Sequence, residues 1–383
     1  MPLSQSSWCP VVITLGGERK EIIIKMLNDL EIFSDPIFFP GVPQKELRNC
    51  YKLLQHAGMA GILPCNEWNA IQERGKKLYD ENPSTWLQSC LHDVSVEERN
   101  ANHNKLHYSV ELWRKCKSLS HPQRKVLACA LAHLQALNHI ISRSSLRDVD
   151  DMTKRKKYFI LEDNVRSVVS RINEFVEEDS KNTVKTDDEK DVAMQYFGWL
   201  GSESNIEYLY NYFIPSKQDS GRSFPYPLSQ DIVQFLPDYD PKQTLKEGPG
   251  GTILWGAFAY YIHIKGIKSI IEELQKDVGA LVWKGKRMKL YSVKPIDKVI
   301  PRMLLRHGYE PNQIRCCSNV RFVRAPMLQS TLHTQYDEAY CKSTTKQLEF
   351  GNHTWKNHVW LTEEEQCVVS SAVTTGTWNY YAN

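Results

Sequence analysis

The chain has 383 residues, of which 41% are hydrophobic and 10% aromatic, and its 48 basic and 45 acidic side chains leave a net charge of +3. This length predicts two or three domains, and the composition is that of a globular protein that buries its own core without disulfide or metal staples. The nearly balanced charge gives no argument for a nucleic-acid partner or for binding to a charged membrane surface.

Cysteine spacing and the N-terminal segment narrow the class further. The ten cysteines include no CxxC pair, which excludes zinc-finger spacing. The N-terminal segment lacks a basic region followed by a long apolar one, unlike a signal peptide. The longest uncharged apolar stretch, residues 252–264, is shorter than the ~20 residues of a membrane-spanning helix. We therefore expect a cytoplasmic protein with reduced thiols and no membrane span.

The chain opens with a strand–turn–helix pattern. Branched apolar residues over Val11–Leu15 predict a short buried strand, and Gly16-Gly17 leads into a helix with apolar residues at helical spacing. Ile37–Val42 predicts a second strand and a turn. The resulting βαβ unit is typical of the first half of a nucleotide-binding α/β domain, although the glycines do not form GxGxxG.

A helical region follows. Residues 44–118 predict an insertion of short helices, which we interpret as a lid or an acceptor-binding subdomain. Ser120 and Gln123 then form a capping box that predicts a helix over residues 125–141. His133 lies on an apolar face of this helix, where it is either a core histidine or a residue that lines a ligand pocket.

The stretch KRKKYFILEDN, residues 154–164, carries the strongest chemical signal. Tyr158–Leu161 predicts a buried strand, and Glu162, Asp163 and Asn164 follow at its carboxyl end. Polar side chains at that end of a strand project into the crevice where open α/β sheets bind ligands, and their hard oxygens suit Mg²⁺ or Mn²⁺. The alternative is that Asp163 or Asn164 caps a helix predicted to begin at Val165.

The rest of the chain continues the alternation of strands and helices. After a charged loop, the predicted elements are a strand over Met194–Gly201, an irregular region over 206–246, a strand over Ala257–Ile264, a helix from Gly266, a hairpin of Val282–Lys284 and Met288–Val293, a helix after Pro295, and a strand over Cys317–Val323.

Seven stretches in this order resemble the family-25 glycosyltransferases, which include bacterial lipopolysaccharide sugar transferases and procollagen galactosyltransferases. They are VVITLGGER, LACALAHLQALNHI, FILEDN, Trp199-Leu200-Gly201, AFAYYIHIKGIKSII, Pro295-Ile296-Asp297 and the segment from Ala325 to Ser330. The resemblance covers about residues 11–42 and 124–330 and leaves the insertion and the C-terminal tail uncovered.

The resemblance implies a GT-A-like nucleotide-sugar-binding fold of the α/β class: a mixed, mostly parallel sheet flanked by helices, with a helical insertion and a C-terminal extension. The expected divisions are a first βα nucleotide-binding unit (1–43), the helical insertion (44–118), the remainder of the catalytic domain (119–330) and an aromatic-rich extension (331–383).

The resemblance also implies a reaction: transfer of a sugar from a UDP-linked donor to a hydroxyl of a glycan or protein acceptor, with inversion and with help from Mn²⁺ or Mg²⁺. The implied site residues are Thr14, Leu15, Arg19, His133, Glu162 and Asp163 at the donor, Asp163, Asn164 and His333 at the metal, and Asp297 as general base. Two alternatives stay open, because Arg19 can form a surface ion pair and Asp297 can serve as the N-cap of its own helix.

The chain departs from the family pattern at two positions. Asn164 stands where the family has a second Asp, which removes a negative charge from the expected metal site, and Ala132 stands where the family has Ser. Two other functions therefore remain open. One is a degenerate glycosyltransferase fold that only binds nucleotide-sugar or a partner. The other is a nucleotidyltransferase, which shares the α/β fold and an acidic metal site.

Overall fold

The computed structural model describes residues 8–30, 35–75, 82–92, 94, 107–145, 157–167, 192–201, 223–225, 254–284, 291–310, 313–317 and 321–324. The chain divides into two units. The first comprises Met1–Pro40, Asp150–Gly266 and Gly308–Asn383, and the second comprises Gly41–Val149 and Ile267–His307. The division expected at residues 43, 118 and 330 stays a prediction.

The elements follow the predicted alternation closely. The strands are β1 (Trp8–Thr14), β2 (Ile37–Pro40), β3 (Lys157–Glu162), β4 (Val165–Ser167), β5 (Met194–Gly201), β6 (Ser223–Pro225), β7 (Leu254–Ile262), β8 (Val282–Lys284), β9 (Tyr291–Val293), β10 (Ile314–Cys317) and β11 (Phe322–Arg324). The helices are α1 (Glu18–Asp29), α2 (Cys50–Met59), α3 (Cys65–Gly75), α4 (Pro83–Cys90), α5 (Tyr108–Cys116), α6 (His121–Ser145), α7 (Ile264–Lys276) and α8 (Ile296–Arg306), with a 3-10 helix at Gln44–Arg48.

A seven-stranded sheet in the order β2-β1-β3-β7-β5-β10-β6 forms the centre of the first unit. Strand β1 pairs in parallel with β2 and β3, and β5 pairs in parallel with β10. Strand β7 lies antiparallel between β3 and β5, and β6 is antiparallel to β10. Five strands therefore share one direction, and the predicted α/β class with a mixed, mostly parallel sheet is confirmed.

The βαβ unit at the start of the chain is confirmed, and its core explains why it forms. Helix α1 places Ile23, Met26 and Leu27 in one buried cluster with Val12 of β1 and Phe159 of β3. These side chains are at most 3% exposed, so the apolar stripe of the helix is removed from water against the sheet. Burial of such side chains supplies roughly 1.5–3 kcal/mol each.

The helix predicted to begin at Val165 is wrong at its start. Residues Val165–Ser167 form strand β4, which pairs antiparallel with β11 in a separate two-stranded sheet. All three β4 side chains are buried, and the partner strand lies more than 150 residues later in the chain, where local periodicity cannot reveal it. The remainder of the predicted helix lies outside the described residues.

The late strand predicted over Cys317–Val323 is two strands. Strand β10 ends at Cys317 within the large sheet, whereas β11 begins at Phe322 in the small sheet with β4. The two strands belong to different sheets because they pair with different strands. A single apolar run in the sequence does not indicate that the pairing partner changes partway along it.

In the second unit, the described part of residues 44–118 consists of helical segments, and the predicted capping box and hairpin are both present. The backbone N–H of Ser120 donates to Oε1 of Gln123 at 2.8 Å, which is the Gln123 half of a capping box. Helix α6 spans His121–Ser145 and is therefore longer at both ends than the predicted 125–141. Strands β8 and β9 pair antiparallel, with Trp283 opposite Ser292. None of the described helices combines the length and the apolar character needed to cross a membrane.

Candidate functional site

The carboxyl ends of β1 and β3 form the topological switch point of the sheet. Strand β1 pairs with β2 on one side and with β3 on the other, and the chain leaves β1 for α1 and β2. Open α/β sheets bind ligands in the crevice outside strands related in this way. The β1–α1 loop, Leu15–Gly17, and the three residues Glu162–Asn164 both lie at this edge.

Asp163 connects the two strands. Its backbone N–H donates to the carbonyl of Ile13 at 3.1 Å, which extends the parallel ladder of β1 and β3 by one residue. Its Oδ2 atom then accepts hydrogen bonds of 2.9 Å from the hydroxyl of Thr14 and from the backbone N–H of Leu15. Gly16 donates its N–H to the Thr14 hydroxyl oxygen at 2.8 Å. The Asp163 carboxylate therefore holds the start of the β1–α1 loop.

The charge at Asp163 is enclosed by protein. The residue is 5% exposed, and its Oδ1 atom lies 3.9 Å from a guanidinium nitrogen of Arg19. Burial raises the pKa of this carboxyl above its ordinary value, and the hydrogen bonds from Leu15 and Thr14 and the charge of Arg19 oppose that rise. The predicted surface ion pair for Arg19 is thus made with a residue of the site itself.

Asn164 has a second arginine as its partner. In the amide orientation that satisfies its neighbours, the Asn164 oxygen accepts from Nε and Nη2 of Arg324 at 3.1 Å each. The amide nitrogen then donates to Oε2 of Glu162 at 3.3 Å. Asn164 is 4% exposed, whereas Glu162 and Arg324 are half-buried. The pair Asp163 and Asn164 consequently faces two guanidinium groups, those of Arg19 and Arg324.

The β1–α1 loop leaves backbone and apolar surface open close to Arg19. Leu15 is 58% exposed, an unusual value for a large apolar side chain. Gly16 and Gly17 have φ angles of +84° and +65°, and a Cβ atom added to either would meet no heavy atom within 4 Å. No side chain caps the first turn of α1. A helix start of this kind, with its N–H groups directed outward, favours negatively charged ligands.

The arrangement of Asp163 and Asn164 does not fit a divalent cation bound to these two side chains. Mg²⁺ and Mn²⁺ take carboxylate and carbonyl oxygens as ligands. Here Oδ2 of Asp163 already accepts two hydrogen bonds, and the Asn164 oxygen accepts two from a cation. An ion on Oδ2 of Asp163 and the Asn164 oxygen would have to displace these O–H and N–H donors, and an ion on Oδ1 of Asp163 would lie next to the guanidinium of Arg19, 3.9 Å away. Of the two carboxylates here, Glu162 is more exposed than Asp163.

Three other predicted site residues do not lie in the first unit's described part. His133 is 1% exposed on α6, and Asp297 is 9% exposed in the first turn of α8; both belong to the second unit. The N-cap of α8 is Pro295, so the alternative that Asp297 is the N-cap of this helix is wrong. His333 lies outside the described residues.

Sequence reasoning missed Arg324 and the positioning role of Thr14. The only local signal for Arg324 is a charged residue at the end of an apolar run, and its partner Asn164 is 160 residues earlier. Thr14 stays a predicted donor-site residue, and its hydroxyl donates to Asp163 and accepts from the N–H of Gly16.

Comparison of the chain with protein-family models found no match, and a search of curated proteins found no significant match either. The likeness to family-25 glycosyltransferases therefore rests on the residues of this chain.

Proposed function

We propose that this protein is a glycosyltransferase that moves a sugar from a UDP-linked donor to an acceptor hydroxyl. The order of the seven resembling stretches supports this proposal, as does a mostly parallel α/β sheet that begins with a βαβ unit. Involvement of Mn²⁺ or Mg²⁺, inversion at the anomeric carbon and a GT-A fold are further parts of the resemblance that stay predictions.

The single observation that carries the proposal is the position of the β1–α1 loop. The loop lies at the switch point between β1 and β3 and combines exposed glycine backbone, an uncapped helix start and the guanidinium of Arg19. This combination favours a phosphate group, because backbone N–H groups, a helix N-terminus and a guanidinium all stabilise negative charge. The exposed Leu15 adds an apolar surface for a nucleobase or a sugar face.

The proposed sugar transfer requires two contributions from the protein. The leaving nucleoside diphosphate accumulates negative charge that must be stabilised, and the acceptor hydroxyl must lose a proton to a base. We assign the stabilisation of this negative charge to Arg19. Asp297 remains the predicted base, on the strength of the resemblance alone.

Nucleotide-sugar binding and turnover test the proposal directly. Thermal unfolding is followed with a panel of UDP-sugars, nucleoside triphosphates and free nucleosides, each with Mn²⁺ and with a chelator. A ligand at about 100 times its Kd adds about 2.7 kcal/mol to the free energy of unfolding, which is easily detected as a rise in Tm. We expect UDP-sugars to stabilise the protein and to be hydrolysed slowly without acceptor. Stabilisation by nucleoside triphosphates alone, with release of pyrophosphate, contradicts the proposal and favours a nucleotidyltransferase.

One observation favours a second candidate, a nucleotide-sugar-binding module without transferase activity. The side chains of Asp163 and Asn164 are engaged by protein groups, and Asn164 lacks the charge of the family's second Asp. For this candidate, the same panel gives stabilisation by UDP-sugars with neither hydrolysis nor transfer.

A further inference from the structure

We propose that Arg19 and Arg324 supply the positive charge that stabilises the donor's diphosphate, and that Asp163 and Asn164 position these arginines and the β1–α1 loop instead of binding a divalent cation. This inference rests on the proposed function, because it assigns residues to the donor site of that reaction. It differs from the metal-assisted mechanism that the family resemblance implies.

The contacts of Asp163 are those of a positioning residue. One carboxylate oxygen holds Thr14 and Leu15 by hydrogen bonds of 2.9 Å, and the other lies 3.9 Å from Arg19. The Asp163 side chain is 7% exposed and that of Arg19 is 24% exposed, so the guanidinium is the more accessible member of the pair. A ligand at this edge of the sheet thus meets the cation before the carboxylate.

The contacts of Asn164 are likewise those of a residue that positions an arginine, in this case Arg324. The Asn164 oxygen accepts from Nε and Nη2 of Arg324 at 3.1 Å, which fixes the plane of the guanidinium. A neutral amide orients Arg324 without cancelling its charge, whereas the Asp that the family has at this position would neutralise it. Asn164 therefore leaves the two guanidinium groups balanced by the carboxylates of Glu162 and Asp163, whereas an Asp at this position would add a third negative charge beside the diphosphate.

Arginine suits the proposed ligand. A guanidinium presents a planar set of N–H donors that matches phosphate oxygens, and it remains charged at any working pH. During transfer, a bond forms between the acceptor oxygen and the anomeric carbon while the bond from that carbon to the diphosphate oxygen breaks. The electron pair of the broken bond passes to the diphosphate oxygen, and the acceptor's proton passes to a base. Two guanidinium groups at the diphosphate stabilise the charge that develops there.

The test measures UDP binding to the full chain by calorimetry, once with a chelator and once with Mn²⁺. The variants are Arg19→Gln and Arg324→Gln, each of which removes one guanidinium. The matched control is Arg306→Gln, because Arg306 also pairs with an aspartate, Asp277 at 2.6 Å, but belongs to the second unit. We expect UDP to bind in chelator with a Kd that Mn²⁺ changes by less than about threefold. Each site variant should weaken binding by about tenfold or more, and the control should not change it.

Thr14 separates a positioning role of Asp163 from a metal role. Thr14→Val removes the hydroxyl that bonds to Asp163, and Thr14→Ser retains it. If Asp163 positions the loop, Thr14→Val raises the Kd of UDP in chelator, whereas Thr14→Ser leaves this Kd close to that of the wild type. A metal ligand at Asp163 predicts instead that Asp163→Asn abolishes a Mn²⁺-dependent gain in affinity.

Two results overturn the inference, and they are distinguishable. UDP binding that requires Mn²⁺, and that Asp163→Asn abolishes even when Mn²⁺ is present, assigns the ion to Asp163 and leaves the proposed function intact. Absence of binding by UDP and by every UDP-sugar, with and without Mn²⁺, contradicts the proposed function itself and the inference with it.

Discussion

The carboxylate of Asp163 accepts a 2.9 Å hydrogen bond from the hydroxyl of Thr14, a residue 149 positions earlier in the chain. This bond joins the ends of two parallel strands at the edge where ligands bind to α/β sheets. The same carboxylate oxygen accepts from the N–H of Leu15, so both a side chain and the backbone of the β1–α1 loop depend on one buried acid.

Removal of the Thr14 hydroxyl should lower the free energy of unfolding. We expect Thr14→Val to cost about 1.5–3 kcal/mol, because a buried carboxylate loses one of its donors, and Thr14→Ser to cost less than half as much. Urea denaturation measures both variants, together with Asp163→Asn and the double variant. Strong non-additivity in this cycle is expected for residues in contact. Additive effects would show that the bond contributes nothing to stability.

The stability of the protein should depend on pH through Asp163. Its pKa in the native state is raised above the ordinary value of 3.8, chiefly by burial, so the native state binds this proton more tightly than the unfolded chain. The free energy of unfolding therefore falls as pH rises from the unfolded value through the raised native value, and is level above it. Asp163→Asn cannot ionise and lacks this contribution. Urea denaturation from about pH 4 to about pH 7 should show the wild type losing stability relative to this variant.

Arg19 provides the control for this pH effect. Its charge lowers the pKa of Asp163, so Arg19→Gln should move the native pKa further upward and extend the pH range over which stability falls. An unchanged pH profile in Arg19→Gln would show that the two side chains do not interact in solution.

A buried glutamate in the second unit should be important for stability. Glu67 is 4% exposed and accepts hydrogen bonds from the N–H groups of Tyr108 and Ser109 at the start of α5, and from the Ser109 hydroxyl. Glu67→Gln should cost about 2 kcal/mol, because an amide replaces a charged acceptor at a helix N-terminus. The control is Glu111→Gln, which breaks a partly exposed ion pair with Lys115 and should cost at most about 1 kcal/mol. Thermal unfolding of both variants measures the difference.

Gly198 on β5 should not tolerate a side chain. A Cβ atom there would lie 2.6 Å from the carbonyl oxygen of Phe322 and would press on the ring of Phe258. We expect Gly198→Ala to cost about 1–3 kcal/mol through overpacking against backbone that cannot move aside easily. Gly16→Ala is the contrast, since nothing lies within 4 Å and only its φ of +84° opposes it, at about 1–2 kcal/mol. Denaturant unfolding of both variants, with equal m-values, tests the comparison.

Elements with strong local signals were predictable from sequence. Tyr158–Leu161 of β3 is a run of aromatic and branched residues, and the predicted helix after Ser120 and Gln123 is present as α6, although it begins at His121, four residues before the predicted start. Strand β5 has the predicted bounds, Met194–Gly201. Each of these signals depends on neighbours within a few residues, which is the range over which periodicity and capping act.

Local sequence patterns could not identify which distant strand or side chain each residue contacts. Strand β4 was predicted as helix because Val165 and the residues after it have helical spacing, and its pairing with β11 decided otherwise. Arg324 could not be identified as a candidate site residue from the sequence, because only the tertiary structure brings it next to Asn164.

The sequence by itself determined that a buried strand ends in Glu162-Asp163-Asn164 and that a glycine turn follows the first strand, because both are properties of contiguous residues. Only the tertiary structure decided what these polar side chains contact. The parallel register of β1 and β3 places Asp163 beside Thr14 and Leu15, and so commits the carboxylate to holding a loop and facing a guanidinium.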